Sequence, residues 1–482
     1  MSIAITRPNL LAKLGVVILL ALGIWHLWLV EWHTPRNDSW PYPNLNRFGS
    51  LLGWIALFGM VFQIGLGTRN KFIDRLIGLD YMWLVHRWLP ILIISFVIFH
   101  GFFRNTGRTG FDEWFEQLED VFEVVIPEEG SPRYENNLRK VSGQLSMYSM
   151  IVLSVLSYLR KLPGRGRWGN SKGIVPWYIW RVAHFGFYYS IVSGFHHVRG
   201  QAFSASSGLT WAGDRATVYY ALMFLTFYFG LQRVVVLFTQ GRQGKLYVVN
   251  QTEELSSRVT RILLSPADCN SSAAQYDAGS FVIINRPDKN PFKQTPHPLS
   301  VASLDNSNDI ELIIGAGANI AKEAKSWTPG TAVRVDGVYG RFAKALMANQ
   351  NVTMLAGGVG MAPILSLLRY IESVALRKKE IGTNYFIPKL GLVLGVRCPE
   401  ELKAAEGTLI NLLKLSEEGY LDFTMQLLMD NVENEESVVE DLRKHYRVGL
   451  VKREDLEKTV PANAACYICG PTPFVKVCKK IS

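Results

Sequence analysis

The chain has 482 residues, 48 % of them hydrophobic, and a formal net charge of +10. That length allows two or three domains, and the apolar residues crowd into the first half, which excludes a uniformly soluble protein. The positive charge sits in loops between apolar segments, so it reads as membrane topology and lipid contact and gives no case for a nucleic-acid partner.

Apolar spans around residues 12–30, 48–67, 84–103, 142–159, 176–198 and 217–239 predict six membrane helices. The first is long and has no small-residue cleavage site before Trp32, so it reads as a retained helix and not a signal peptide. The link 160–175 holds five Lys or Arg and no acid, and 69–75 is also basic, which places both links, the N-terminus and everything after residue 240 in the cytoplasm. The segment 104–140 has nine acidic residues against five basic ones and belongs outside.

The third span carries His86 and His100, which fourteen residues of helix separate by about 21 Å while leaving them on nearly one face. The fifth carries His184 and His197. Two histidine pairs at two depths of a bilayer read as two bis-His haem sites, against the competing reading of core histidines satisfied by hydroxyls and carbonyls. Thirteen residues turn His197 about 140° away from His184, and His196 is hardly better placed. Either the helix is kinked near Gly186 or Gly194, or the two sites lie on different sides of its axis. Arg104, one turn beyond His100, brings a positive charge to the outer site. Further on, Phe111, Trp114, Phe115, Leu118, Val121 and Phe122 recur at helical spacing and predict an amphipathic helix over the outer end, as a plain surface helix or as a lid.

All five cysteines, Cys269, Cys398, Cys466, Cys469 and Cys478, fall in the second half. No disulfide is implied on the reducing side, and the CxxC of Cys466 and Cys469 lacks the second pair that zinc requires. From Lys245 short alternating runs predict an antiparallel β-barrel, and from about residue 350 buried strands alternate with amphipathic helices, as in a parallel nucleotide-binding sheet. The expected domains are thus 1–240, 241–349 and 350–482. The strand Val352–Ala356 runs into Gly357-Gly358-Val359-Gly360 and a helix, which is either a dinucleotide turn or merely a tight one.

Six membrane helices, the histidine pairs, the stretch 297–303 (HPLSVAS), the turn 357–363 (GGVGMAP) and Cys469-Gly470-Pro471 together resemble the ferric reductase and NADPH oxidase superfamily of transmembrane flavocytochromes. The resemblance implies a six-helix transmembrane haem-binding bundle fused to a ferredoxin-reductase-like module, made of an antiparallel β-barrel FAD domain and an α/β nucleotide-binding domain. It implies two haems b, the inner on His86 and His184 and the outer on His100 and His197, a choice of His197 over His196 that rests on the resemblance. His297, Pro298, Leu299 and Ser300 would hold the flavin ring, with Arg286 at the FAD phosphates and Trp327-Thr328 and Tyr339-Gly340-Arg341-Phe342 as further contacts. Gly357, Gly358, Gly360, Pro363, Cys469, Gly470 and Pro471 would hold the nicotinamide nucleotide, with Arg397 at the 2′-phosphate that distinguishes NADPH from NADH. Leu299 departs from the aromatic usual in the family, and Ser482 follows Pro471 sooner than expected, as in a shortened chain or an unusual end.

The expected activity is transfer of electrons from cytoplasmic NADPH through FAD and the haems to dioxygen on the far side of a plasma or inner membrane, making superoxide. A ferric-chelate reductase and an electron-transfer subunit for a partner protein are the alternatives. No regulatory subunit or on-switch is evident.

Overall fold

A computed structural model of the chain describes residues 25, 28–29, 31–32, 39–68, 78–111, 121–123, 134–159, 177–202, 215–239, 244–268, 277–287, 297–304, 309–316, 320–340, 342, 346–382, 385–430, 432, 438–459, 461 and 463–481. The chain divides at residues 238 and 239 into two compact units.

The first unit is helical: α1 (Pro43–Gly67), α2 (Leu79–Thr109), α3 (Tyr134–Leu159), α4 (Trp177–His184), α5 (Gly186–Ala202) and α6 (Arg215–Thr239). Proline at its first position suits α1, since that N–H has no intrahelical acceptor. α1 and α2 pack antiparallel in one register: Asn46 lies beside Gly107, Gly49 beside Arg104, Gly53 beside His100 and Gly67 beside His86, each step up one helix matching a step down the other. Small residues at these crossings let the two backbones approach closely. A core of Leu51, Trp54, Leu57, Met60, Ile93, Met150, Ile191 and Phe195 fills the space between helices, while α6 turns Phe224 and Phe227, both more than two-thirds exposed, outward. At one end Glu31 forms a buried ion pair with Arg215 at 2.8 Å and accepts a hydrogen bond from Trp54 Nε1 at 2.9 Å.

α1, α2, α3 and α6 are each long and apolar enough to cross a membrane. The predicted fifth span is interrupted: α4 ends at His184 and α5 begins at Gly186. Of the first span only residues 25, 28 and 29 are described, and the basic link and most of the expected helix at 111–122 also lie outside the described residues. α2 and α3 are longer than hydropathy predicts, so Arg104 lies within a helix and not in a loop. The cause is contact between helices: Asn46 Nδ2 donates to the Arg104 carbonyl at 2.8 Å, holding α2 helical beyond its apolar window until Gly110, at φ 97°, ends it.

The second unit begins with a six-stranded antiparallel sheet in the order β4-β3-β6-β1-β2-β5, with β1 Lys245–Ser256, β2 Val259–Pro266, β3 Phe281–Asn285, β4 His297–Ser300, β5 Ile310–Gly315 and β6 Ala332–Tyr339. Its edge strands meet through a bridge between Val301 and Leu312, around an interior of Tyr247, Val249, Ile262, Leu264, Val282, Ile284 and Leu312. A parallel sheet follows, in the order β10-β9-β8-β7-β11, with β7 Asn351–Gly357, β8 Lys389–Val396, β9 Phe423–Met429, β10 Tyr446–Val448 and β11 Ala465–Cys469, and with helices α7 (Met361–Ile381), α8 (Glu406–Glu417) and α9 (Thr472–Ile481). α7 is also apolar enough to span a membrane, but it connects two strands that pair with each other, so it is the crossover helix of a parallel sheet.

Arg369 on α7 ties the two sheets together. It bonds Glu311 of β5 at 2.6 Å, the Ala302 carbonyl at 2.9 Å and the Ala404 carbonyl at 3.1 Å, while Glu311, itself buried, also pairs with Arg261 at 2.8 Å. Removing one partner leaves the others buried and only partly compensated, a loss of about 3 kcal/mol. Arg369→Ala should therefore lower the melting temperature of this unit by about 6–12 °C, measured by circular dichroism on heating; an unchanged transition would show that the sheets are held by apolar packing alone.

Candidate functional site

The histidines meet in two pairs. The ring centres of His86 and His184 are 6.0 Å apart, and those of His100 and His197 are 6.1 Å apart. A metal–nitrogen bond of about 2.0–2.1 Å, with the ring centre about 1.1 Å beyond the nitrogen, puts two imidazoles that share one metal ion about 6.2 Å apart, centre to centre. Both pairs fit that spacing. Among the described residues no group of three or more His, Cys, Asp or Glu could hold a metal ion, so each pair stands as two imidazoles without a third such protein ligand.

Three of the four rings are oriented in the same way. His100 Nδ1 donates to the Gly49 carbonyl at 2.7 Å, His197 Nδ1 to the Arg139 carbonyl at 2.8 Å and His86 Nδ1 to the Gln63 carbonyl at 3.2 Å. A carbonyl only accepts, so the proton is on Nδ1 and the lone pair of each neutral ring is on Nε2, the tautomer that ligates a metal. These carbonyls belong to helices, where the side chain four residues later normally crowds them. Here that residue is glycine each time: Gly53 after Gly49, Gly143 after Arg139 and Gly67 after Gln63. A Cβ added at Gly53 or Gly143 would lie 2.6 Å from the imidazole Nδ1, whereas one at Gly67 would lie 3.5 Å from the nearest His86 atom.

His184 is held differently. Its Nδ1 is 3.4 Å from Ser157 Oγ, its ring packs on Trp180 with centres 4.6 Å apart, and Phe187 meets it edge-on. The helix break answers the phase problem posed by thirteen residues. Phe185 N–H bonds the Val182 carbonyl and Tyr188 N–H bonds the Phe185 carbonyl, both i to i+3, and such turns advance about 120° and 2.0 Å per residue, not 100° and 1.5 Å. The tighter winding makes up part of the missing rotation and rise. His196 points elsewhere, its Nδ1 bonded to Ser142 Oγ at 2.8 Å. Arg104 packs against Gly49, close enough for its charge to act on both His100 and His197.

In the antiparallel sheet, β4 pairs with β3 so that His297 stands opposite Ile284, Pro298 opposite Ile283, Leu299 opposite Val282 and Ser300 opposite Phe281. Burial holds the His297 imidazole below its ordinary range, partly offset by Glu323, which favours the neutral ring. Leu299 packs against the barrel core, so it fills the interior and offers no ring face. Phe281 and Tyr339 pack with ring centres 5.7 Å apart, and Gly340, at φ 97°, closes on Phe281. Arg286 pairs with Glu323 at 3.5 Å and lies over the Trp327 ring. Arg341 lies outside the described residues.

In the parallel sheet, the strand order reverses between β7 and β11, the switch point outside whose carboxyl ends such sheets bind ligands. A Cβ at Gly357 would lie 2.9 Å from the Phe474 ring, one at Gly470 would lie 3.1 Å from Gly357 N, and one at Gly360 would strike the Cys469 carbonyl, so these glycines bring the turn and Cys469-Gly470-Pro471 together. Gly358 differs: its φ is +54° and nothing lies within 4 Å of its Cβ position, which leaves room for a phosphate at the start of α7. Pro363 is buried in the first turn of α7. Burial raises the thiols of both Cys466 and Cys469, which keeps them protonated and argues against a redox dithiol. Arg397 follows β8 as expected, but its Nε stands 4.0 Å from Asp430, both side chains about half exposed, and its backbone N–H donates to buried Glu401 at 3.1 Å. Sequence reasoning missed Asp430 and Glu401.

Comparison with known proteins gives two family matches. Residues 52–195 match the ferric reductase-like transmembrane component, and residues 354–480 match the oxidoreductase NAD-binding domain. Among curated relatives, oxidoreductase NAD-binding domain-containing protein 1 of Bos taurus is 27 % identical over 143 residues, 30 % of this chain and 44 % of that protein. NADH-cytochrome b5 reductase 1 of Aspergillus clavatus is 25 % identical over 185 residues, 37 % of this chain and 54 % of that protein. The chain thus spans about half the length of the curated relatives it matches. A solved FAD/NAD-binding domain of nitric oxide dioxygenase from Vibrio cholerae O1 biovar El Tor is 17 % identical, with a TM-score of 0.38, covering 50 % of this chain and 92 % of that one. A ferric reductase-like transmembrane component ahead of an oxidoreductase NAD-binding domain is a pair of matches that agrees with the ferric reductase and NADPH oxidase superfamily of transmembrane flavocytochromes.

Proposed function

We propose that this oxidoreductase carries electrons across a membrane, from cytoplasmic NADPH through FAD and two haems b to an acceptor on the far side. The observation that carries the reading is the pair of imidazole–imidazole separations, 6.0 and 6.1 Å, each suited to one iron between two nitrogens. Bound in these sites, the nicotinamide supplies hydride, the flavin divides its two electrons, and the haems carry them singly.

The chain's residues have separable roles. His86 and His184 would hold the inner haem, His100 and His197 the outer. Ser300 and neutral His297 would hydrogen-bond the flavin ring, with Pro298 and Leu299 shaping the strand beneath it. Gly357, Gly360 and Gly470 set the approach of the turn, and Gly358 and Pro363 open α7 toward the pyrophosphate. Arg397 would meet the 2′-phosphate, with Asp430 as its competitor. At the outer end Arg104 would pair a haem propionate or stabilise an anion forming from the acceptor. That charge favours dioxygen, whose reduced form is an anion; the acids of 104–140 favour metal cations and support the ferric reductase reading.

Three measurements test these assignments. Gly53→Ala and Gly143→Ala should each displace an outer imidazole and lose one of two haems, while Gly67→Ala keeps both; equal haem content in all three would contradict the glycine argument. Arg397→Glu should lower the NADPH to NADH ratio of kcat/KM by about 10- to 100-fold, the worth of one charge-assisted hydrogen bond, and Asp430→Asn should raise it; an unmoved ratio removes Arg397 from the site. Purified chain supplied with NADPH should reduce cytochrome c in air by a route that superoxide dismutase suppresses. Fast anaerobic reduction of ferric citrate without that signal would make the acceptor iron, and inactivity with both would point to a partner protein.

A further inference from the structure

Three histidines donate Nδ1–H to a helix carbonyl that a glycine four residues later leaves open. The fourth site keeps the same frame with one change. The carbonyl is that of Leu153, and the residue four positions later is Ser157, whose hydroxyl covers it by donating to it at 2.8 Å. With its proton committed to Leu153, Ser157 Oγ faces the remaining neighbours as an acceptor: it receives Trp180 Nε1–H at 3.1 Å and faces His184 Nδ1 at 3.4 Å. The hydroxyl is thus inserted between imidazole and carbonyl, and the indole competes for it. Gly143 and Ser157 lie fourteen residues apart on α3, as Gly53 and Gly67 do on α1, so Ser157 stands where the frame has glycine elsewhere.

We propose that Ser157 is the positioning residue of the inner site: its hydroxyl relays the His184 Nδ1–H bond to the Leu153 carbonyl in weakened form and so sets the reduction potential of the inner haem apart from that of the outer. This rests on the haem reading above. A metal-bound imidazole that donates Nδ1–H to a good acceptor gains basicity and stabilises the ferric state. At the outer site both bonds are short, 2.7 and 2.8 Å. At His184 the acceptor is shared and distant, so that ligand is the less basic. The sites differ also in the longer His86 bond, 3.2 Å, and in the Arg104 charge at the outer pair, but Ser157 is a side chain, which mutation reaches where it cannot reach a backbone carbonyl.

The test is a potentiometric titration of the full-length chain in nanodiscs, followed by haem absorbance and low-spin electron paramagnetic resonance. Ser157→Ala puts a methyl over the Leu153 carbonyl and leaves His184 without this acceptor. One of the two midpoints should move upward by about 59 mV, a tenfold shift in a one-electron equilibrium, and the other should stay. Ser157→Gly exposes the carbonyl, as at the other three histidines, and should return that midpoint to the wild-type value or below, even though glycine is the poorer helix former. Trp180→Phe keeps the ring contact but removes the competing donor, and should move the same midpoint downward. If Ser157→Ala loses the inner haem outright, Ser157→Gly should regain it. Unmoved midpoints in Ser157→Ala, or Ser157→Gly behaving like Ser157→Ala, overturn the proposal while leaving two haems in place. A wild-type chain with no haem overturns the reading beneath it as well.

Discussion

An imidazole inside an apolar helix bundle has two nitrogens and few partners, because helix carbonyls and amides are already bonded to each other. The described helical unit is arranged around that scarcity. A helix carbonyl accepts a second bond only if the next turn does not cover it, and glycine at the fourth position clears it. Clearing it also lets the helices approach within reach of a ring, so the contacts that orient His86, His100 and His197 are the same ones that set the register of α1 on α2 and of α3 on α5. A side chain at Gly53 or Gly143 would meet the imidazole directly, 2.6 Å from its Nδ1.

Close approach at glycine serves the second unit in a different way. Gly357, Gly360 and Gly470 draw the first and last strands of the parallel sheet together at the switch point, and Gly358 supplies the open position above it. The antiparallel sheet contributes His297 and Ser300 on a short edge strand, fixed by its register with β3. Arg369 and Glu311 then join the two sheets through buried ionic contacts, so the antiparallel and parallel sheets belong to one unit with a common core.

The histidine pairs were legible because a fourteen-residue spacing in an apolar run has few other uses, and the two sheets were legible from alternation and turn residues. Their supports were not. Gly53 and Gly67 repeat the fourteen-residue spacing of His100 and His86 on the facing helix, a signal present in the sequence but without meaning until the register is known. A kink near Gly186 was one of three readings left open, beside one near Gly194 and sites on different sides of the axis, and the consequence of the break at Phe185 for His197 depends on how the turn is wound. Helix ends were misjudged where tertiary contacts extend α2 past its apolar window. Asp430 is distant in sequence from Arg397 and reaches it only because β8 and β9 are parallel neighbours, and the inward packing of Leu299 follows from its pairing with Val282.

The account depends on each histidine pair sharing one iron. The most direct measurement is the haem-to-polypeptide ratio of the purified full-length chain, by pyridine haemochrome and amino-acid analysis, with the spin state read by magnetic circular dichroism. Two haems b per chain, both low-spin with two imidazole ligands, is the result expected. A single haem, or a high-spin signal with an open axial position, would contradict it.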